Sequence, residues 1–526
     1  MVASTELFQL IKSLTRGEKK SFQLFASRRI DGGKNNYLKL FEAIDKQREY
    51  DEKKLKQKFK KDFSESHFAF EKNHLYKLIC KSLNDYHTNT VVDFQLHEMI
   101  ESIHILRNKG LIDQSIKVLV RAKSLAENHK RFIQLQDIHR MERTLLTHNT
   151  DLRIWKDYSG KLAERELEII KVCSSVNDYY KLSVKAFLLS SKDPKLYSMQ
   201  DKKELETIKH SAVFHESVQP LTFEAQYYQL LSRNYYYRIT QNAVKKHDTS
   251  TRLYELFKKH PEQIKENPNR MLSLFSIHLI SKIGINDMNG IMETMNALTA
   301  FLENSAYQIP KELQFATLMN NYSSAANYFL MKGDFDNVLS IINEENEIKL
   351  FIPIKIKKHR YSDLRYRAFL FFNYNLAYTF FGRNNYHKAL FRLNKAVHDL
   401  KLDTDDMIYV SYKVLYIIVH YELGNFELLE NLYQSFLRKK LTVHTEEERY
   451  ILKFLVTRLF GLHRGQKQKE VFADFKNEME AYYPKKEAQL DQFNMLCWLD
   501  SKIQNVSYED VIKKKSKTLK SSPKSM

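Results

Sequence analysis

Apolar residues along this chain recur at three- and four-residue spacing, the period of helices with one buried face. Residues 369–400 show it most clearly. A dense run from Phe369 to Phe381 is broken by Asn373 and Asn375. Gly-Arg-Asn-Asn follows at 382–385, and Ala389, Leu390, Leu393, Ala396 and Val397 then form one helical stripe. The spacing predicts two helices joined at Asn384-Asn385-Tyr386, with Asn384 in the left-handed conformation that asparagine tolerates. Ala377 and Ala389 are small enough to let the pair approach closely. Three other stretches carry the same arrangement: Ile103, Leu106, Ile112, Ser115, Leu119 and Ala122 around Gly110; Tyr322, Ala325, Ala326, Phe329, Phe335, Val338 and Ile342 around Gly333; and Tyr416, Ile417, Phe426, Leu429, Tyr433 and Phe436 around Gly424. Between residues 130 and 310 the helical period continues, in segments such as 162–189 and 221–242, but the turns lose this signature.

Residues 1–90 read as a compact helical module of four segments, 7–29, 35–47, 51–63 and 66–87. Asp51 is suited to cap the third, because its carboxylate can accept from free amide groups at a helix start. On that segment Leu55, Phe59 and Phe63 make an apolar stripe ringed by Lys53, Lys54, Lys56, Lys58, Lys60 and Lys61. On the fourth, Leu75, Ile79, Leu83 and Tyr86 are expected to face inward. Asn73, Lys77, Lys81 and Asn84 then share another face.

Composition supports helices over sheets. Glycine is 12 and proline 8 of 526 residues, against average usage of about 7% and about 5%, too few for many hairpin turns. The 33 Phe and 31 Tyr exclude a disordered chain, which lacks the apolar area to offset ordering entropy. The length exceeds the roughly 250–300 residues at which a single core stops growing, so several domains or a repeat array are expected. Cys80, Cys173 and Cys497 are widely spaced, which suits a reducing compartment. The start lacks the basic and apolar regions of a leader peptide, and no run of 18 apolar residues exists. We therefore expect a cytoplasmic location without membrane insertion. The richness in Lys, Asn, Ile, Phe and Tyr matches an AT-rich bacterial genome.

The helical pairs resemble tetratricopeptide repeats. That motif has a large-small pair in its first helix, a Gly/Asp-aromatic turn, and small, aromatic and small positions in its second. Leu376-Ala377, Tyr386, Ala389, Leu393 and Ala396 occupy those places. The chain departs from the motif at Asn384 (for glycine), Lys401 (for proline) and Leu429 (for alanine), and its repeat steps exceed the usual length of about 34 residues. The resemblance implies an all-α fold, a solenoid or superhelix of such hairpins over 91–512. The module 1–90 would precede it, and a disordered basic tail, 513–526, would follow.

No catalytic constellation emerges. His97-Glu98-Met99-Ile100-Glu101 lacks the second histidine of a helical zinc motif, and Gly32-Gly33-Lys34 lacks phosphate-loop spacing. Neither metal nor cofactor is expected. The net charge of +20 is concentrated at the ends: residues 1–90 hold 19 Lys/Arg against 12 Asp/Glu, and residues 513–526 hold six Lys and no acid. Two readings follow. In the first the chain is a non-enzymatic scaffold or adaptor that binds a protein or peptide on the repeats. Asn375 stands where such arrays grip peptide backbone, and Lys413, Tyr416 and His420 share a face of the next first helix. In the second it is a nucleic-acid-binding regulator. A helix-turn-helix-like module there uses Asn73, Lys77, Lys81 and Asn84, with Lys58 and Lys61 on phosphates, and the repeats sense a ligand or form a dimer. The competing structural readings are aromatic core packing for the first set and, for the second, a solvated cap that shields the first repeat.

Overall fold

The computed structural model describes residues 5–27, 36–60, 65–88, 91–147, 152–192, 194–215, 219–304, 307, 309–341, 364–395, 408–431, 455, 457–458, 468–482 and 494–521. Among the described residues every regular element is helical and no strand occurs. Contacts divide the chain into two units, Met1–Ile239 and Thr240–Met526. The division falls inside the stretch 91–512 that the sequence suggests as one array.

The first unit holds α1 (Glu6–Ser13), α2 (Arg16–Ser27), α3 (Asn36–Lys46), α4 (Glu52–Lys58), α5 (Glu65–His87), α6 (Val92–Asn108), α7 (Ile112–Asn128), α8 (Phe132–Leu146), α9 (Leu152–Ser190), α10 (Met199–His210) and α11 (Phe223–Ile239). Helices α1, α2, α3 and α5 enclose a core that includes Leu7, Ile11, Phe22, Phe41, Leu75 and Ile79. A separate core, with Leu96, Ile103, Leu119, Ile138 and Ile169, joins α6 to α9.

The expected first segment, 7–29, is two helices. Thr15 and Glu18 form a reciprocal capping box: the Thr15 amide donates to Glu18 Oε2 at 2.8 Å, and the Glu18 amide donates to Thr15 Oγ1 at 3.3 Å. That pair starts a new helix and turns the chain. Asp51 caps α4 as expected, accepting from the Lys54 amide at 3.0 Å. Leu55 and Phe59 are buried. Phe63 lies outside the described residues. Tyr86, expected inward, is 40% exposed and lies over Gly17.

The second unit holds α12 (Ala243–Lys259), α13 (Pro261–Glu266), α14 (Pro268–Gly284), α15 (Met288–Glu303), α16 (Lys311–Lys332), α17 (Phe335–Ile341), α18 (Leu364–Gly382), α19 (Tyr386–Asn394), α20 (Tyr409–Glu422), α21 (Gln468–Tyr482), α22 (Met495–Gln504) and α23 (Tyr508–Ser521). Helix α18 is the dense apolar run. Residues 372–382 are buried on every side, which suits a helix with almost no polar face. Its rings meet neighbours around its circumference: Phe372 meets Tyr322, Tyr374 meets Tyr412, and Tyr378 meets Phe335 and Tyr508. No described helix is long and apolar enough to cross a membrane.

One turn recurs in both units. Gly110, Lys130, Gln241, Asn286, Gly333, Asn384, Gly424 and Asn505 all have φ between 52° and 74°. At most of these positions the next residue's amide reaches back to the carbonyl five positions earlier, as in Leu111 to Leu106 (3.0 Å), Arg131 to Ala126 (2.8 Å), Asn385 to Phe380 (2.8 Å) and Val506 to Ser501 (3.1 Å). Those bonds satisfy carbonyls that a helix end leaves unpaired. The following residue then often caps the next helix. Asn242, Asp287, Asp334 and Asn385 accept from the amides of Lys245, Gly290, Asn337 and Lys388. One residue reverses the chain and its neighbour starts the next helix, so paired helices pack after a connection of two or three residues.

Residues 513–521, expected as unstructured tail, continue α23; residues 522–526 lie outside the described residues. Two features upstream of the lysines order them. Ser507 and Asp510 cap the helix, with Ser507 Oγ at 2.6 Å from Asp510 Oδ2 and the Asp510 amide at 3.1 Å from Ser507 Oγ. Tyr508 is buried and hydrogen-bonds Tyr378 at 2.7 Å, and Ile512 packs on the turn at Gly333.

This contact generates a prediction. A Cβ on Gly333 would stand 2.9 Å from Ile512 Cγ2 and 3.3 Å from the Lys513 amide, whereas nothing lies within 4 Å of one on Gly110. Gly110→Ala bears only left-handed strain, about 1 kcal/mol. Gly333→Ala adds overpacking of about 1–3 kcal/mol and loosens α23. Limited trypsin digestion at Lys513–Lys517 is expected to accelerate in Gly333→Ala alone; equal digestion of both variants contradicts the contact.

Candidate functional site

Helices α18 and α20 lie side by side. Tyr374 and Tyr412 pack edge to face at 5.3 Å, and Tyr412 Oη donates to the Leu370 carbonyl at 2.6 Å. Asn375 follows Tyr374 directly and is 1% exposed. Neither its amide nitrogen nor its amide oxygen has a hydrogen-bond partner. Leaving such a group unpaired costs about 1–3 kcal/mol, so its retention in a buried helix needs a reason.

Lys413, one position past Tyr412, is half-buried, with its ammonium over Tyr409 at 5.6 Å and Tyr416 at 5.9 Å. Tyr416 is half-buried and meets His420 edge to face at 4.4 Å. His420 is buried, and burial holds its pKa below the usual histidine value. Asn425 Nδ2 donates to His420 Nδ1 at 2.9 Å. The neutral ring therefore carries its proton on Nε2, and that atom is buried without a partner.

Asn425 occupies the position after a left-handed residue where Asn242, Asp287, Asp334 and Asn385 cap the following helix. Its side chain bonds His420 as well as standing at that position. The structure thus places Asn375 and His420 inside the packed helices and Lys413 and Tyr416 at their half-buried edge. Sequence reasoning missed Asn425; its signal is the left-handed-residue-then-Asx pattern.

In the first unit Lys58, Lys77, Lys81 and Asn84 are exposed and Asn73 is half-buried, while Lys61 lies outside the described residues. Helices α4 and α5 are tied at one point. Lys72 donates to Glu52 Oε2 at 2.8 Å and Tyr50 Oη donates to the same oxygen at 3.0 Å. The Lys72 bond leads the effects that hold the Glu52 carboxyl down to about 2.

Two further polar clusters are buried. His139 is 1% exposed with both ring nitrogens unpartnered, near the Lys123–Glu142 ion pair of 2.9 Å. Burial, with Lys123 second, lowers its pKa. Between α12 and α14, a His-x-x-Ser pair occurs twice, at 247–250 and 278–281. Ser250 Oγ and Ser281 Oγ are 2.6 Å apart, and each lies 3.3 Å from the other helix's histidine Nδ1. Each hydroxyl also faces its own histidine's carbonyl, at 2.9 Å and 2.7 Å. A hydroxyl has one proton, so one serine donates across the interface and the other to its own helix. Ser250 is 2% and Ser281 1% exposed, which closes both from a substrate. The cluster is a polar clasp between two helices.

Among the described residues no group of three or more His, Cys, Asp or Glu could hold a metal ion. His97 and Glu101 are exposed, and Gly32-Gly33-Lys34 lies outside the described residues. Comparison of the chain with protein-family models, curated proteins and solved structures finds no match.

The clasp generates a pH prediction. Burial, with Lys282 second, lowers both histidine pKa values from about 6.5, that of His278 to about 4. Between these values the unfolded chain binds protons that the folded chain does not. Stability is full above pH 6.5 and is lost as pH falls toward 4, by about 2 kcal/mol once screening at the partly exposed rings is allowed for. Urea titrations from pH 7 to 4.5 are expected to show this slope and His278→Gln to flatten it; an unchanged slope in the variant places the acid sensitivity elsewhere.

Proposed function

We propose that the chain is a non-enzymatic scaffold or adaptor of tetratricopeptide-like hairpins, which takes a protein or peptide segment at α18 and α20. One observation carries the reading: Asn375 and His420 each hold buried polar atoms without a hydrogen-bond partner. Peptide backbone offers the complement, an N–H and a C=O at every residue. The Asn375 amide, one donor group and one acceptor, and His420 Nε2, a donor, are 1% and 5% exposed, so the segment reaches them by parting α18 from α20. Lys413 adds a cation for a carboxylate, and Tyr409 and Tyr416 add rigid aromatic area of the kind that anchors interfaces. Fixed rings and a fixed tautomer lower the ordering cost of binding.

The reading separates a binding residue from a packing residue. Asn375→Leu removes an unsatisfied amide, so it is expected to stabilise the chain by about 1 kcal/mol while abolishing capture. With a photo-crosslinking phenylalanine analogue at position 416, a native lysate is expected to give a discrete set of cross-linked peptides, insensitive to nuclease. Asn375→Leu/Lys413→Ala should remove that set with helicity unchanged. Persistence of the same set, or destabilisation by Asn375→Leu, overturns the proposal.

A further inference from the structure

Helix α5 carries one face that is exposed toward both of its ends. Phe68, Leu75, Ile79 and Ser82 face the core formed with α1, α2 and α3. On the other side His67, Phe70, His74, Lys77, Lys81 and Asn84 follow at i, i+3, i+7, i+10, i+14 and i+17, which is a single stripe. All are exposed except half-buried His74. Phe70 is 59% exposed, with the His67 ring 5.3 Å and the His74 ring 6.4 Å from its own. The stripe is about 26 Å long at 1.5 Å per residue.

Five acids of this module are bonded or turned inward. Glu18 bonds His87 at 2.9 Å, Asp45 bonds Lys19 at 2.7 Å, and Glu52 bonds Lys72 and Lys56. Asp51 caps α4. Glu71, the one acid between residues 67 and 84, is 7% exposed. Near α5 these carboxylates are bonded or buried while Lys77, Lys81, Lys53 and Lys58 reach solvent; Glu6, Glu42 and Glu49, on or beside α1 and α3, are exposed as well. Asp85 is the acid at the carboxyl-terminal end of the stripe.

We infer that the outer face of α5 lies in the major groove of duplex DNA. The groove, about 12 Å wide, admits one helix, and α5 presents exposed side chains at both ends of the stripe, with Tyr37 of α3 packed on His74 at 4.7 Å between them. The amino-terminal half, His67 and Phe70, meets base edges, where an aromatic ring can contact a thymine methyl. Lys77 and Lys81 neutralise flanking phosphates. The Tyr50–Glu52–Lys72 clamp fixes α4 beside α5. A single strand is disfavoured because stacking platforms for it sit in grooves that track the backbone. This inference is independent of the peptide site, which lies in the other unit.

The test uses the full chain, a fluorescein-labelled 25-base-pair duplex and the matching single strand. The net charge of +20 makes a charge control essential, and exposed Lys514 and Lys517 on α23 supply it. Anisotropy at low salt is expected to show duplex binding that Lys77→Ala/Lys81→Ala weakens at least tenfold. The salt slope should fall by about two, one per lysine, and Phe70→Ala should weaken binding at unchanged slope. Lys514→Ala/Lys517→Ala should weaken it less than threefold. Equal losses from both lysine pairs, single-strand binding as tight as duplex binding, or no binding at 50 mM salt overturns the inference. Lys77→Gln/Lys81→Gln repeats the measurement should the alanine pair alter folding.

Discussion

The constraint on which the second unit and much of the first depend is the end of a helix. Four carbonyls there lack partners, and a chain made of helices meets the problem at every connection. The recurring answer is one residue with φ near +60°, which returns two amides to those carbonyls and reverses the chain. Its length of two or three residues leaves the paired helices no choice but to pack on each other. The same turn accepts Gly110, Lys130, Asn286 and Asn505, because the bonds and packing outweigh a left-handed penalty of about 1–2 kcal/mol.

Legibility in the sequence follows from that tolerance. Where glycine or asparagine fills the left-handed position, at Gly110, Gly333, Asn384 and Gly424, both the turn and its helices are readable. At Lys130 and Gln241 the residue type gives no warning, and the region between looked like helix without punctuation. The break between α1 and α2 was written in Thr15-x-x-Glu18, a cap inside an unbroken apolar period. The ordering of α23 was written in Ser507-x-x-Asp510 and Tyr508, but six lysines over the last fourteen residues outweighed it in a reading by composition. The charge of Lys77 and Lys81 was legible; the inward turn of Glu18, Glu52 and Glu71 was not, because pairing is a tertiary fact.

Candidate site residues divide along the same line. Spacing could place Asn375, Lys413, Tyr416 and His420 on successive first helices. It could not tell which face was covered, since α18 is apolar all round and has no stripe to orient it. Nor could it foresee Asn425 bonding His420, which depends on the turn bringing residue 425 back over residue 420.

Polar residues in α18 show how a buried group reveals its role. Thr379 donates to the Asn375 carbonyl at 2.7 Å and so closes its own account within the helix. Tyr378 bonds Tyr508 and thereby fixes α23. Asn375 does neither: its backbone is used and its amide is idle. Other buried groups share that condition, His139 among them, and natural chains leave polar groups unsatisfied chiefly where function requires it. A leucine would fill the position at lower cost, so stability does not explain the asparagine. On the proposed reading a group from outside supplies the amide's partner, and Tyr416 and Lys413, on the same helix as His420, are half-buried.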